Sequence, residues 1–207
     1  MKVKVFETFT SIQGESTHAG KICFFIRLAG CNLSCTYCDT GYAKDPESGK
    51  WMSFMSLIRL ARKSGVQLVE ITGGEPLAQR QVPALCEKLL NNGFIVMLET
   101  NGSMPVDTLP EGIVRIIDCK CPSSGESGKM LSSNYETLKT YDEIKFVIAD
   151  ENDFIYAMDR IKKHQLMKRT RNLLFSPVFG RFPAARLAEL MIKNKCPGRL
   201  QLQMHKY

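Results

Sequence analysis

The residues best suited to chemistry crowd into one stretch. "GCNLSCTYCDTGY" begins at Gly30 and sets Cys31, Cys35 and Cys38 in a C-x3-C-x2-C spacing. Thiolates are soft ligands that select zinc or iron–sulfur clusters. Cys35 and Cys38 make a common zinc half-site, but a closed zinc site needs a second pair. No C-x2-C recurs; Cys119 and Cys121 form a C-x-C pair at another strand end. A ferredoxin-type cluster also takes a fourth thiolate. The remaining option is a [4Fe–4S] cluster with three cysteine-bound irons and one open iron. An open position is where chemistry happens, as in catalytic zinc sites. A ligand that chelates through an amine and a carboxylate would fill it.

Around this motif the chain reads as one globular domain spanning 1–207, with 44% hydrophobic and 24% charged residues. The longest apolar runs, "ICFFI" and "FIVML", are strand-sized and far too short to cross a bilayer. The N-terminus lacks the pattern of a signal peptide, which places the expected location in the cytoplasm. Eight cysteines in such a chain suit a reducing compartment with metal or catalytic roles. Cys23 and Cys86 read as small buried hydrophobes. The net charge of +7 fits nucleic acid or an anionic small molecule equally. The densest basic run, "KKHQLMKRTR", has no interleaved aromatic residues. It therefore offers no base-stacking platform and reads as a solvated helix end, so no nucleic acid partner is expected.

Hydrophobic patterning supplies the elements that must position the cysteines. Strands are expected at "KICFFIRLAG", "VQLVEITGG", "FIVMLETNG", "GIVRIIDCK", "EIKFVIA", "NLLFSPV" and "RLQLQMHKY". Helices are expected at "SFMSLIRLARKSG", begun by Ser53 and stopped by Gly65, at "QVPALCEKLLNNG", from about 152 to 164, and at "AARLAELMIKNK". Near-continuous apolar strands alternating with helices predict a parallel sheet covered by helices. With about six parallel strands, the α/β fold expected is a partial, incomplete TIM-like barrel. Polar and glycine-rich residues gather where strands end: "AGCNLSC", "TGGEP", "ETNGS", "DCKCPSSGE" and "FSPVFG". Ligands of such folds bind at the carboxyl ends of strands, so these segments should converge.

C-x3-C-x2-C with an aromatic residue, Tyr37, before the third cysteine resembles the signature of radical S-adenosylmethionine enzymes. "GGEP" at 73–76 resembles their second motif. Within that superfamily, "ETFTSIQGEST" and Arg27 resemble the 7-carboxy-7-deazaguanine synthase family of the queuosine pathway. So do "FFIRLAGCNLSCTYCDT", "EITGGEPL", "LETNGS", "DCKCPSSGE", "EIKFVI", "FSPVFG" and "LQLQMHKY", nearly end to end. The resemblance implies a lyase that converts 6-carboxy-5,6,7,8-tetrahydropterin to 7-carboxy-7-deazaguanine with loss of ammonia. S-adenosylmethionine on the open iron would yield a 5′-deoxyadenosyl radical that takes the C6 hydrogen, and the cofactor would be regenerated. Magnesium would assist, a flavodoxin or ferredoxin would supply electrons, and the protein would be a homodimer.

The resemblance also implies roles. Cys31, Cys35 and Cys38 would hold the cluster and Thr40 the magnesium. Ile12, Gln13, Gly14, Glu15, Arg27, Thr72, His205 and Tyr207 would hold the pterin, with Arg27 on its carboxylate and Glu15 on its guanidine-like edge. Tyr37, Cys38, Asp39, Gly74, Glu75, Asp118, Cys119, Lys120 and Ser176 would hold S-adenosylmethionine. An arginine fork suits a carboxylate, and a hard magnesium ion takes oxygen ligands and bridges to substrate anions. Family members usually continue a few residues past "HKY", so this chain is expected to be truncated or to close differently. The rival reading is a glycyl-radical-enzyme activating enzyme; a non-enzymatic rival is an electron carrier or zinc module.

Overall fold

The structure, a computed structural model, describes residues 1–206. The expectation for Tyr207 lies outside the described residues. A nine-stranded sheet runs β3-β1-β2-β4-β5-β6-β7-β8-β9. Its strands are β1 (Lys2–Ile12), β2 (Ile22–Leu28), β3 (Lys50–Ser53), β4 (Leu68–Gly73), β5 (Ile95–Thr100), β6 (Val114–Asp118), β7 (Glu143–Ile148), β8 (Asn172–Pro177) and β9 (Arg199–Leu200). From β2 through β9 every pairing is parallel, whereas β1 is antiparallel to both β2 and β3. The two outermost strands, β3 and β9, share no ladder, so the α/β sheet curves into an incomplete barrel, as expected.

Helices α1 (Phe54–Ser64), α2 (Val82–Leu90), α3 (Ser133–Glu136), α4 (Glu151–Lys163) and α5 (Ala184–Lys193) follow β3, β4, β6, β7 and β8. Ser53 caps α1 by accepting from the Ser56 N–H, and Gly65 ends it in the left-handed conformation. The outward side chains of the strands and the apolar faces of the helices form the main core. Inside the curve lies a smaller apolar floor of Cys23, Phe25, Leu68, Met97 and Ile116. Cys23 and Cys86 are both fully buried.

Two expectations change. Lys2–Ile12 form a full strand, β1, whose mixed polar and apolar side chains hide it from a search for apolar runs. The last strand shrinks to Arg199–Leu200, and the chain then coils back, with a single turn at Met204–Lys206.

The β1–β2 loop crosses the open side of the barrel. The Thr17 N–H and hydroxyl donate to Glu143 on β7. Lys145 on β7 pairs with Glu15 at 2.7 Å, Gln13 donates to Glu70 on β4, and Arg199 donates to the Ser16 carbonyl. Buried polar side chains must be partnered, and this loop provides partners that absent strands would otherwise have to supply.

Candidate active site

A cavity of about 650 Å³ opens at the carboxyl ends of the parallel strands. Its rim carries Cys31, Cys35 and Cys38, on the loop leaving β2. That loop is pinned on both flanks. Gly30 and Cys31 donate backbone N–H bonds to the Ala43 and Lys44 carbonyls, and Thr36 donates to Ser124. The Ser34 N–H donates to the Glu126 carboxylate at 2.6 Å. Burial raises the Cys35 thiol. A cluster would bind the thiolates, and three thiols facing one cavity fit three corners of an iron–sulfur cube. Cys119 and Cys121 cannot complete a zinc site, because both are buried in the core between sheet and helices.

Gly74 closes the contact between β4 and the cysteine loop. A Cβ there would stand 2.1 Å from the Gly30 oxygen and 2.8 Å from the Cys31 Cβ. Glu75 was expected on S-adenosylmethionine, but it does not line the cavity. Its buried carboxylate accepts from Leu77 N–H, Thr100 hydroxyl and Asn101 N–H, at 2.9, 2.9 and 2.7 Å, which ties β4 to β5. Burial raises it above the ordinary carboxylate range.

Arg27 lines the cavity with its guanidinium already oriented. Its Nε donates to Glu7 at 2.8 Å, and its head lies 5.5 Å from the Phe9 ring and 5.8 Å from the Tyr42 ring. The second edge of the fork is left for an anion. Thr72 also lines the cavity and meets Glu99 at 3.3 Å.

Below them lies a charged floor, of which the sequence names Glu15 and Asp118 but not Lys145, Glu70 or Glu99. Lys145, 4% exposed, pairs with Glu99 and with Glu15, and reaches Asp118 at 3.7 Å. Glu70 faces the same space and, among the described residues, has only the Gln13 amide as a close donor. Burial, and then the neighbouring Glu99 and Glu15, push Glu70 well above the ordinary carboxylate range. The available signal was a charged residue in the middle of a buried strand, Glu70 in "VEITG" and Lys145 in "EIKFVI"; such residues are rarely buried without partners.

Ile12, Gln13, Gly14 and Glu15 all line the cavity. Gln13 acts as a brace, since its Oε1 accepts from Glu15 N–H while its Nε2 donates to Glu70. The two Glu15 oxygens already accept from Lys145 and from Gln203. His205 sits at the rim. Met204 N–H donates to the Gly14 carbonyl at 3.0 Å, and a Cβ on Gly14 would stand 2.6 Å from the His205 ring. Lys206 pairs with Asp39 at 2.9 Å, while His205 Nε2 stands 3.7 Å away. His205, Lys206 and the Thr40 hydroxyl hold the Asp39 carboxyl well below the usual range.

On the opposite wall, Tyr37 packs against Val147 and Val178, and its hydroxyl donates to the Val147 carbonyl at 3.3 Å. Asp118 and Lys120 pair at 2.7 Å, and Asp118 Oδ1 is buried without a hydrogen-bond partner among the described residues. An orphaned acceptor on a cavity wall fits a donor-bearing ligand such as a ribose or an amine. Cys119 is corrected. Strand alternation turns it into the core, where its sulfur lies 3.0 Å from the Tyr135 hydroxyl and burial pushes its thiol up to about 12. Ser176 lies on the inner side of β8, in register with Val147, but does not line the cavity; its buried hydroxyl has no hydrogen-bond partner among the described residues.

A curved parallel sheet carrying three cysteines on the loop after its first parallel strand defines a radical S-adenosylmethionine protein. The family model of the Radical SAM superfamily matches residues 25–173. The chain is 40% identical to the 7-carboxy-7-deazaguanine synthase of Chlorobaculum tepidum, covering 99% of this chain and 93% of that one. It is 37% identical to that of Koribacter versatilis, covering 99% and 96%. The crystal structure of QueE from Escherichia coli superposes with a TM-score of 0.80 at 26% identity, covering 99% of this chain and 95% of the other. The chain belongs to the 7-carboxy-7-deazaguanine synthase family.

Proposed function

We propose that this protein is a radical S-adenosylmethionine lyase of 7-deazapurine biosynthesis, converting 6-carboxy-5,6,7,8-tetrahydropterin to 7-carboxy-7-deazaguanine and ammonia. The observation that carries the reading is the meeting, in one cavity, of the three cysteines, the pre-oriented Arg27 and the 12–15 loop. When bound, the cluster and S-adenosylmethionine supply one-electron chemistry and hydrogen-atom abstraction.

The chain's own residues then bind, orient and exclude water. Cys31, Cys35 and Cys38 would hold the cluster, which would supply one-electron chemistry to the cofactor. Asp118 and Lys120 offer an acceptor and a donor to the adenosyl side, with Tyr37 as an apolar wall and Gly74 allowing close approach. Arg27 takes the substrate carboxylate, held edge-on by Glu7, Phe9 and Tyr42. Fixing that carboxylate fixes the ring carbon that bears it, and placement of this kind supplies much of a barrier reduction. The 12–15 loop presents backbone groups to the pterin, and the Lys145–Glu15–Glu99 floor keeps that loop in place. Thr40 would hold magnesium; its hydroxyl hydrogen is given to Asp39 at 3.0 Å, which leaves its lone pairs for a cation. Gln203, His205 and Lys206 stand at the cavity and help exclude water.

Among the described residues no helix is long and apolar enough to cross a membrane. A cytoplasmic location, a flavodoxin or ferredoxin as reductant, and a homodimer belong to the same proposal. The glycyl-radical-enzyme activase reading is not favoured, because that role needs a groove for a polypeptide, whereas here the β1–β2 loop and residues 203–206 cover the barrel's open side. The test is turnover. Anaerobically reconstituted protein with reductant, S-adenosylmethionine and carboxytetrahydropterin should release 7-carboxy-7-deazaguanine. Absence of that product from protein with a full cluster overturns the assignment.

A further inference from the structure

Asn101 stands at the end of β5, 7% exposed, with no role in the binding scheme above. Every polar atom of this residue that faces the cysteine loop is committed. Its backbone N–H donates to Glu75 at 2.7 Å. Its Oδ1 accepts twice from Ser103, from the N–H at 3.0 Å and from the hydroxyl at 2.6 Å. The backbone N–H, which can only donate, fixes which end of the amide is oxygen. The NH2 end must therefore face the cysteine loop. One of its hydrogens goes to Asn32 Oδ1 at 3.0 Å, and the other points at Cys31 Sγ, 3.9 Å away and within reach of the larger sulfur atom.

We propose that Asn101 tunes the reduction potential of the cluster by donating a hydrogen bond to the Cys31 sulfur. The inference rests on Cys31 being a cluster ligand. Reduction adds negative charge to the cluster and its sulfurs. A fixed N–H dipole aimed at one sulfur favours the reduced state more than the oxidised one. Ser103 and Glu75 hold the donor rigidly, so little reorganisation is needed when the electron arrives. Loss of the donor should leave the cluster harder to reduce.

The test is a redox titration of the reconstituted protein, followed by electron paramagnetic resonance, on wild type, Asn101→Ala and Asn32→Ala. Asn101→Ala should shift the midpoint to more negative potential, disfavouring reduction about threefold to tenfold; tenfold is about 59 mV for one electron. Asn32→Ala should leave the midpoint unchanged: Asn32 also donates to the Ser103 hydroxyl at 2.8 Å, but the Ser103 backbone N–H keeps the amide oriented without it. A purely structural bridge between residues 101 and 32 would move both variants alike. If Asn101→Ala fails to retain iron, Asn101→Leu fills a similar space without a donor and adds no charge, and its midpoint must also fall. An unshifted midpoint with a full cluster overturns the inference. A wild-type protein that binds no cluster overturns instead the reading of the cysteines on which it rests.

Discussion

The contact between Gly74 and the cysteine loop is the tightest constraint on the site, and Gly74→Ala tests it. The added methyl carbon would lie 2.1 Å from the Gly30 oxygen, 2.5 Å from the Gly30 carbonyl carbon and 2.8 Å from the Cys31 Cβ. Two of these are backbone atoms, so no side chain can swing away. Restoring an ordinary contact of about 3.4 Å requires a retreat of about 1.3 Å (3.4 − 2.1). The Gly30 oxygen also accepts from the Glu75 N–H at 2.8 Å, and a retreat of that size breaks this bond. Overpacking of this kind costs about 1–3 kcal/mol, and a misplacement of about 1 Å lowers a rate about 100-fold. The assay measures iron and sulfide content, thermal unfolding and single-turnover product formation. We expect a folded protein with lowered melting temperature, depleted cluster and turnover reduced about 100-fold or more. Full iron, unchanged stability and near wild-type turnover would refute the reasoning.

Other perturbations separate the parts of the site. Arg27→Lys removes the fork, and with it a charge-assisted hydrogen bond worth about 1.5–3 kcal/mol; substrate KM should rise about tenfold to a hundredfold while S-adenosylmethionine binding, read by calorimetry, is unchanged. Lys145→Met strands Glu15, Glu99 and Asp118 together, and denaturant unfolding near neutral pH should show a loss of about 3–5 kcal/mol. Glu70→Gln tests the raised carboxyl. Its folded value lies above the ordinary 4.5, so its contribution is complete below that pH and is lost as pH rises through the folded value, by up to about 1.4 kcal/mol per pH unit. The variant should match wild type at pH 4.5 and exceed it at pH 9 in unfolding free energy; equal pH slopes would show that Glu70 is ionised in the fold.

Much of this was legible from residue order. Apolar strand runs and helix signals such as Ser53 and Gly65 located the parallel core, because a strand buried on both faces has to be apolar throughout. The same rule hid β1, where only alternate positions such as Val3 and Val5 are buried. It also hid Glu70 and Lys145, since a charge inside a strand is tolerated only when distant segments supply its partners. Here those partners are Gln13, Glu15 and Glu99, which sequence order does not bring together. Resemblance named the cavity-lining residues Arg27, Thr40, Asp118 and Lys120, but it could not say which way side chains turn. Cys119 and Glu75 therefore read as ligand contacts, although one turns into the core and the other braces two strand ends. The last strand failed for a related reason: "RLQLQMHKY" alternates like a strand, yet after Leu200 the chain is drawn back by Gln203 on Glu15 and Met204 on Gly14.

The claim on which the rest depends is that three cysteines leave one iron free at the mouth of the cavity. Its most direct measurement is the electron paramagnetic resonance spectrum of the anaerobically reduced protein with and without S-adenosylmethionine. With an iron open to the amine and carboxylate of that ligand, the spectrum changes on addition, and Cys38→Ala abolishes both cluster and change. A wild-type spectrum that stays the same at saturating S-adenosylmethionine would contradict it.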